Sequence, residues 1–155
     1  MNLASILKTE QIVPSMRATE HWAAIEELVC HLDNQKLLQG ENREAVLDAL
    51  RNREEKTSTG IGHGIAIPHV FSEKVYEVIT VFGRSEIGID FDAIDNAPVK
   101  LIVLFIVPQD KYQLHLRTLA AIAKMLNNVD IRKSLNEAES PEDILKVFSQ
   151  RGTRS

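Results

Sequence analysis

The chain has 155 residues, 44% hydrophobic and 26% charged, the make-up of one globular domain. A chain of this length buries about two-thirds of its unfolded surface on folding, which argues against general disorder, and its single cysteine, Cys30, excludes an intrachain disulfide framework and a multi-cysteine zinc site. The 18 basic and 22 acidic residues give a net charge of −4, without the basic excess of a nucleic-acid binder.

The longest fully apolar run, Leu101 to Val107, is closed by Pro108 and falls far short of the ~20 residues of a membrane span. The opening MNLASILKTEQIVP lacks the basic start of a secretory signal. The expectation is a cytoplasmic protein with no direct membrane insertion, a compartment in which a reduced cysteine is at ease. One domain is expected over residues 1–150, followed by a frayed tail at 151–155.

Residues 1–18 are ambiguous, with a turn near Pro14. Thr19 offers an N-cap to a first helix, in which Trp22, Ile25, Leu28, Val29 and Leu32 share one face. His21 and His31 fall outside that face and read as exposed. A second helix spans about Asn42 to Arg53, with Val46, Ala49 and Leu50 inward. Next comes Thr57-Ser-Thr-Gly-Ile-Gly-His-Gly-Ile-Ala-Ile-Pro-His69, a glycine-rich loop entering a short strand at Ile65–Ile67; Ile67 precedes a proline and is held extended. Val78–Arg84 reads as a strand and Ile87–Phe91 as a second short one. Val99–Val107 is a strand buried on both faces. A helix follows over about Lys111–Leu126. The last helix begins with Ser140 as N-cap, Pro141 at its first position and Asp143 as capping partner. Two helices, several consecutive strands and further helices predict a layered α/β domain: a central mixed sheet with helices on both faces.

The chemistry concentrates around this sheet. His69 follows an apolar strand and a proline, at a strand end where α/β sheets commonly bind ligands; it is either a packed edge histidine or a nucleophile, base or ligand. Gly60, Gly62 and Gly64 form neither a phosphate-binding Gly-Lys-Ser/Thr loop nor a dinucleotide fingerprint, since they run from helix to strand. They are a tight turn, or amides that line an anion site with Ser58 and Thr59. His115 lies near the start of its helix at the core-facing edge, where free amides and the helix dipole favour phosphate. Arg53 either completes a helix C-terminus or pairs with phosphate. No Gly-x-Ser-x-Gly elbow is present. His63, His69 and His115 lack the sequence context of a zinc site, and Asp90 with Asp92 reads as solvated acid.

Gly64-Ile-Ala-Ile-Pro-His69 resembles the phosphorylation motif of the fructose/mannitol-type enzyme IIA domains of the bacterial phosphotransferase system. Arg53-Glu54, Ser58-Thr-Gly-Ile-Gly62, Phe91-Asp-Ala-Ile-Asp-Asn96, Pro98-Val99, Val107-Pro108, His115-Leu116, Thr118-Leu119 and Ala123-Lys124 extend the likeness over about residues 3–150. Within the family the chain most resembles the regulatory, nitrogen-type branch. The resemblance implies that His69 accepts a phosphoryl group from an HPr-like phosphocarrier, that His115 assists as the second histidine, and that Arg53 neutralises phosphate charge. It leaves Ser58, Thr59, Gly60, Gly62, Gly64 and His63 as candidate phosphate-binding positions and requires neither metal nor other cofactor. The implied outputs are regulatory targets such as a potassium transporter or a sensor kinase. The alternatives are a sugar-specific IIA passing phosphate to a IIB cysteine and a binding module that is not phosphorylated. Two positions depart from the family pattern: Val70 follows the site histidine where a small residue is usual, and His63 stands where asparagine is common.

Overall fold

The computed structural model describes residues 6–56, 60–93 and 95–152. In chain order these form β1 (Ile12–Val13), α1 (His21–Asn34), α2 (Arg43–Lys56), β2 (Gly60–Gly62), β3 (Ile65–Ala66), β4 (His69–Ser72), β5 (Ile79–Ile89), β6 (Val99–Pro108), α3 (Tyr112–Leu126), α4 (Val129–Glu137) and α5 (Pro141–Gly152). Short 3₁₀ turns at Thr9–Gln11 and Gln109–Lys111 lead into β1 and α3.

The strand order is β1-β5-β6-β3-β2, with β4 also paired to β6. The sheet is mixed: β5 and β6 are antiparallel, whereas β3 and β4 run parallel to β6. β6 organises both layers. Ile102, Leu104 and Ile106 pack on one face with Ile25, Leu28 and Val29 of α1 and Val46, Leu47 and Leu50 of α2. Val103, Phe105 and Val107 pack on the other with Ile122 and Leu126 of α3, Ile131 and Leu135 of α4, and Ile144 and Phe148 of α5. This period-two division gives the expected fold, with each fully buried aliphatic or aromatic side chain contributing about 1.5–3 kcal/mol.

Several expected boundaries move. The α1 cap is Glu20, whose carboxylate accepts from the Ala23 amide at 2.7 Å; the Thr19 carbonyl instead accepts from Asp90. α2 continues past Arg53 to Lys56. The segments read as two strands, Val78–Arg84 and Ile87–Phe91, merge into the single strand β5, which starts at Ile79 and stops at Ile89. Its pairing to β6 is interrupted after Arg84 and resumes at Ile89 opposite Val99. Ser85 Oγ accepts from the Gly88 amide inside this excursion. β1 and α4 lacked a sequence assignment: two residues are too few for a period, and α4 is polar apart from Ile131 and Leu135. The Ser140 cap holds, with its Oγ accepting from the Asp143 amide at 3.1 Å. α5 continues through Gly152, so the first two residues assigned to a tail are helical.

Candidate functional site

β3 and β4 are two pieces of one line. Ile65 and Ala66 oppose Leu101 and Ile102, and His69 opposes Phe105, without a change of register. Pro68 interrupts the line because it has no amide to donate, yet its carbonyl accepts from the Phe105 amide at 3.0 Å. Strand alternation then turns the backbone groups of Ile67 and His69 away from β6. Among the described residues β2 reaches only to Gly60, opposite Ala66, and no described strand covers this edge, which is where a proline is tolerated.

His69 uses that edge. Its Nδ1 lies 3.1 Å from the Ile67 carbonyl oxygen. A carbonyl only accepts, so Nδ1 carries the hydrogen and the neutral ring keeps its lone pair on Nε2. The ring is half-buried. Burial lowers its pKa from the ordinary 6.5; the Ile67 hydrogen bond opposes this, the Arg53 charge adds to the lowering, and the Glu54 charge opposes it last, leaving the pKa below 6.5. His69 is therefore neutral near pH 7, with a nucleophilic nitrogen at a sheet edge.

His115 arrives from α3. Its ring lies 5.8 Å from that of His69, centre to centre. Phe105 stands edge-on to it at 5.0 Å and Phe71 at 6.2 Å. The side chain is 4% exposed. Its Nε2 is buried without a hydrogen-bond partner among the described residues. Desolvation first, and the neighbouring His69 second, pull its pKa down to about 4. It is thus a neutral imidazole with an unused polar nitrogen beside the nucleophile. The ring also borders a cleft of about 490 Å³ lined by Lys8, Gln11, Val78, Val107 and Lys111, but His69 is not among its walls. The nucleophile belongs to the sheet edge rather than to this cleft.

On the other side, the last turns of α2 bring Arg53 and Glu54 close enough for both charges to act on His69. The sequence missed the group behind Glu54. His21, expected to be an exposed helix residue, places Nε2 3.0 Å from Glu54 Oε2 and Nδ1 3.3 Å from Asp92 Oδ2. Its ring stacks on Phe91 at 4.0 Å. Burial opposes its charge, but the two carboxylates outweigh that and raise its pKa. Asp92 is therefore an ion-pair partner, not merely a solvated acid. The Phe91-Asp92 pair lay in a segment the sequence had singled out, but nothing in linear order joined it to His21. His31 is also engaged, its Nε2–H donating to the Glu10 carbonyl at 2.7 Å.

Of the two readings of the glycine segment, a tight turn or an anion loop, the turn describes Gly62 to Gly64. Gly62 pairs with Ile65, so His63 and Gly64 are the two central residues of a hairpin. Both have positive φ, 58° and 78°, as a type I′ turn requires. The His63 amide donates to Asp95 Oδ2 at 3.2 Å. The Gly64 carbonyl accepts from Lys100 and Leu101. Ile65 and His69 are four residues apart on the line beside β6, about 13 Å, so Gly62, His63 and Gly64 sit at a turn remote from the His69 ring. Gly60, opposite Ala66, is the glycine nearest in register. Ser58 and Thr59 lie outside the described residues. Val70 turns to the opposite face from His69 and packs against the α1–α2 core; it anchors the strand and does not crowd the ring.

A half-buried histidine that keeps a lone pair on Nε2 thus stands beside a second, neutral histidine at the edge of a mixed α/β sheet, on the fold of the enzyme IIA proteins. Nitrogen regulatory protein IIA-Ntr from Neisseria meningitidis superposes with a TM-score of 0.87 at 30% identity, covering 94% of this chain and 98% of that one. The sequence model of the family described as "Phosphoenolpyruvate-dependent sugar phosphotransferase system, EIIA 2" matches residues 5–151, and the chain belongs to that family. A nitrogen regulatory protein of Bradyrhizobium diazoefficiens is 32% identical over 96% of this chain and 95% of its own length. The fructose-specific EIIABC component of Bacillus subtilis is 34% identical over 97% of this chain, which spans only 23% of that larger protein. Among the described residues no helix is long and apolar enough to cross a membrane.

Proposed function

We propose that this protein is a nitrogen-type phosphocarrier that accepts a phosphoryl group on His69 Nε2 from a phosphohistidine of an HPr-like protein. The hydrogen bond from His69 Nδ1 to the Ile67 carbonyl carries the reading, because it leaves Nε2 as the nucleophile. In the step, Nε2 forms the new N–P bond as the donor's N–P bond breaks, and the donor imidazole leaves with the electron pair. The transition state needs an in-line nucleophile and donors for the equatorial oxygens. Arg53 supplies charge, and His115 supplies an N–H in the tautomer that protonates Nε2. Breaking one N–P bond to form another keeps the exchange near balance, so it is reversible and calls for no metal or nucleotide at this step. Ser58, Thr59 and the Gly60 amide are further candidate oxygen donors on sequence grounds. A nucleophile at a sheet edge suits transfer between two proteins better than one enclosed in a cavity.

Phosphorylation places about two negative charges on this face. A regulatory partner docking there, such as a potassium transporter or a sensor kinase, then distinguishes the two states. The protein is proposed to work in the cytoplasm.

The likeness to fructose-specific EIIABC supports a second reading, onward transfer to a IIB cysteine. The test combines the protein with enzyme I, an HPr-like carrier and phosphoenolpyruvate, beside His69→Ala, and follows intact mass. One acid-labile phosphate on wild type and none on His69→Ala is expected. No phosphate on wild type with several carriers overturns the reading. Discharge of the phosphorylated protein to IIB cysteines, and not to water alone, selects the second.

A further inference from the structure

We infer that His21 is a positioning residue for phosphoryl transfer: by engaging the Glu54 carboxylate it weakens the repulsion between that carboxylate and the phosphoryl group on His69. The inference rests on the proposed phosphorylation of His69.

The local charge balance makes the point. Glu54 is 9% exposed and acts on His69 along with Arg53. A carboxylate whose charge reaches the nucleophile repels an incoming phosphoryl dianion. Such a buried acid is tolerable when a cation holds it. His21 lies 3.0 Å from the Glu54 carboxylate and holds it so when protonated, a form that the two carboxylates favour by raising its pKa; its second nitrogen faces Asp92 at 3.3 Å. Glu54 and Asp92 are the charged groups acting on His21, and Arg53, Glu54 and His115 are those acting at His69. The Phe91 ring beneath His21 fixes the plane of the imidazole. His21 comes from α1, Glu54 from α2 and Asp92 from the loop after β5, so the clamp also joins three segments behind the site. His21 touches neither His69 nor the phosphoryl group; it acts through Glu54.

A purely structural role predicts loss of stability in any His21 variant. The charge role predicts something more specific. His21→Phe keeps a ring to stack on Phe91 but leaves Glu54 without this cation. Phosphorylation of its His69 by phosphoramidate, a small donor needing no protein docking, is expected to slow about tenfold. Glu54→Gln in the same chain removes the repelling charge and restores the rate. His21→Gln, which hydrogen-bonds without charge, behaves as His21→Phe and serves where that variant does not fold. If wild type takes no phosphate, the proposed function fails. If wild type is phosphorylated and either folded His21 variant keeps its rate, or if Glu54→Gln brings no recovery, the role of His21 is overturned.

Discussion

The His69 Nδ1 and the Ile67 carbonyl oxygen lie 3.1 Å apart on the same edge of the sheet, with Pro68 between them. Pro68 gives up one ladder bond and holds the chain extended. Its two neighbours then turn their backbone groups outward, and the histidine folds back onto the carbonyl that would otherwise face the edge. Strand geometry thus selects the tautomer, and the tautomer selects the nucleophile.

On the proposed function, phosphate is expected on Nε2. Phosphorus–nitrogen coupling in the ¹⁵N-labelled, phosphorylated protein is expected at the nitrogen remote from the Cβ; coupling at Nδ1 contradicts the edge-bond argument.

His115 makes stability depend on pH in one direction. Its pKa is about 4 when folded against 6.5 as the reference value. Between these values the unfolded chain binds the extra proton, so stability rises with pH and is lost as pH falls from 6.5 toward 4. The full effect is about 3 kcal/mol. Urea melts of wild type and His115→Asn should show the wild-type advantage shrinking over that interval. A gap that does not change with pH removes the argument.

His21 works in the opposite sense. Its pKa is raised by Glu54 and Asp92 against the effect of burial. Its contribution is complete below 6.5 and declines as pH rises through the folded-state value. The stability difference between wild type and His21→Gln is expected to be largest near pH 6 and to shrink in alkaline buffer.

The hairpin tip offers a test at a site away from His69. Asn-Gly is the favoured pair for a type I′ turn, so His63→Asn should hold or slightly raise the melting temperature and leave the rate of His69 phosphorylation unchanged. A large loss of rate brings the turn back as a phosphate ligand.

Gly88 has φ of +99°, and a Cβ there would come within 2.9 Å of Pro98 Cβ. Gly88→Ala combines backbone strain with overpacking and should cost about 1–3 kcal/mol in a urea melt. A neutral result means that the β5 excursion relaxes freely.

How much was legible follows from range. The β6 run, the Ser140 cap and the α3 face were visible because their signals lie within a few neighbouring residues. Arg53, His69 and His115 were named as candidates from local context and family likeness. The clamp was not: His21, Glu54 and Asp92 stand tens of positions apart, and each has an ordinary local reading. The glycines illustrate an ambiguity that sequence alone leaves open. Their spacing fits a tight turn or an anion loop, and the pairing of Gly62 with Ile65 places His63 and Gly64 in a hairpin turn while Gly60 stays in β2.

From sequence alone came the mixed α/β class and the family, together with His69 as the candidate acceptor, because periodicity, capping and the Ile-Pro-His motif are written along the chain. Only the tertiary structure decided which nitrogen of His69 is nucleophilic, that His115 is neutral, and that Glu54 is held by His21. Those properties depend on burial and on charges brought together from separate elements, and neither exists until the sheet and its helices have packed.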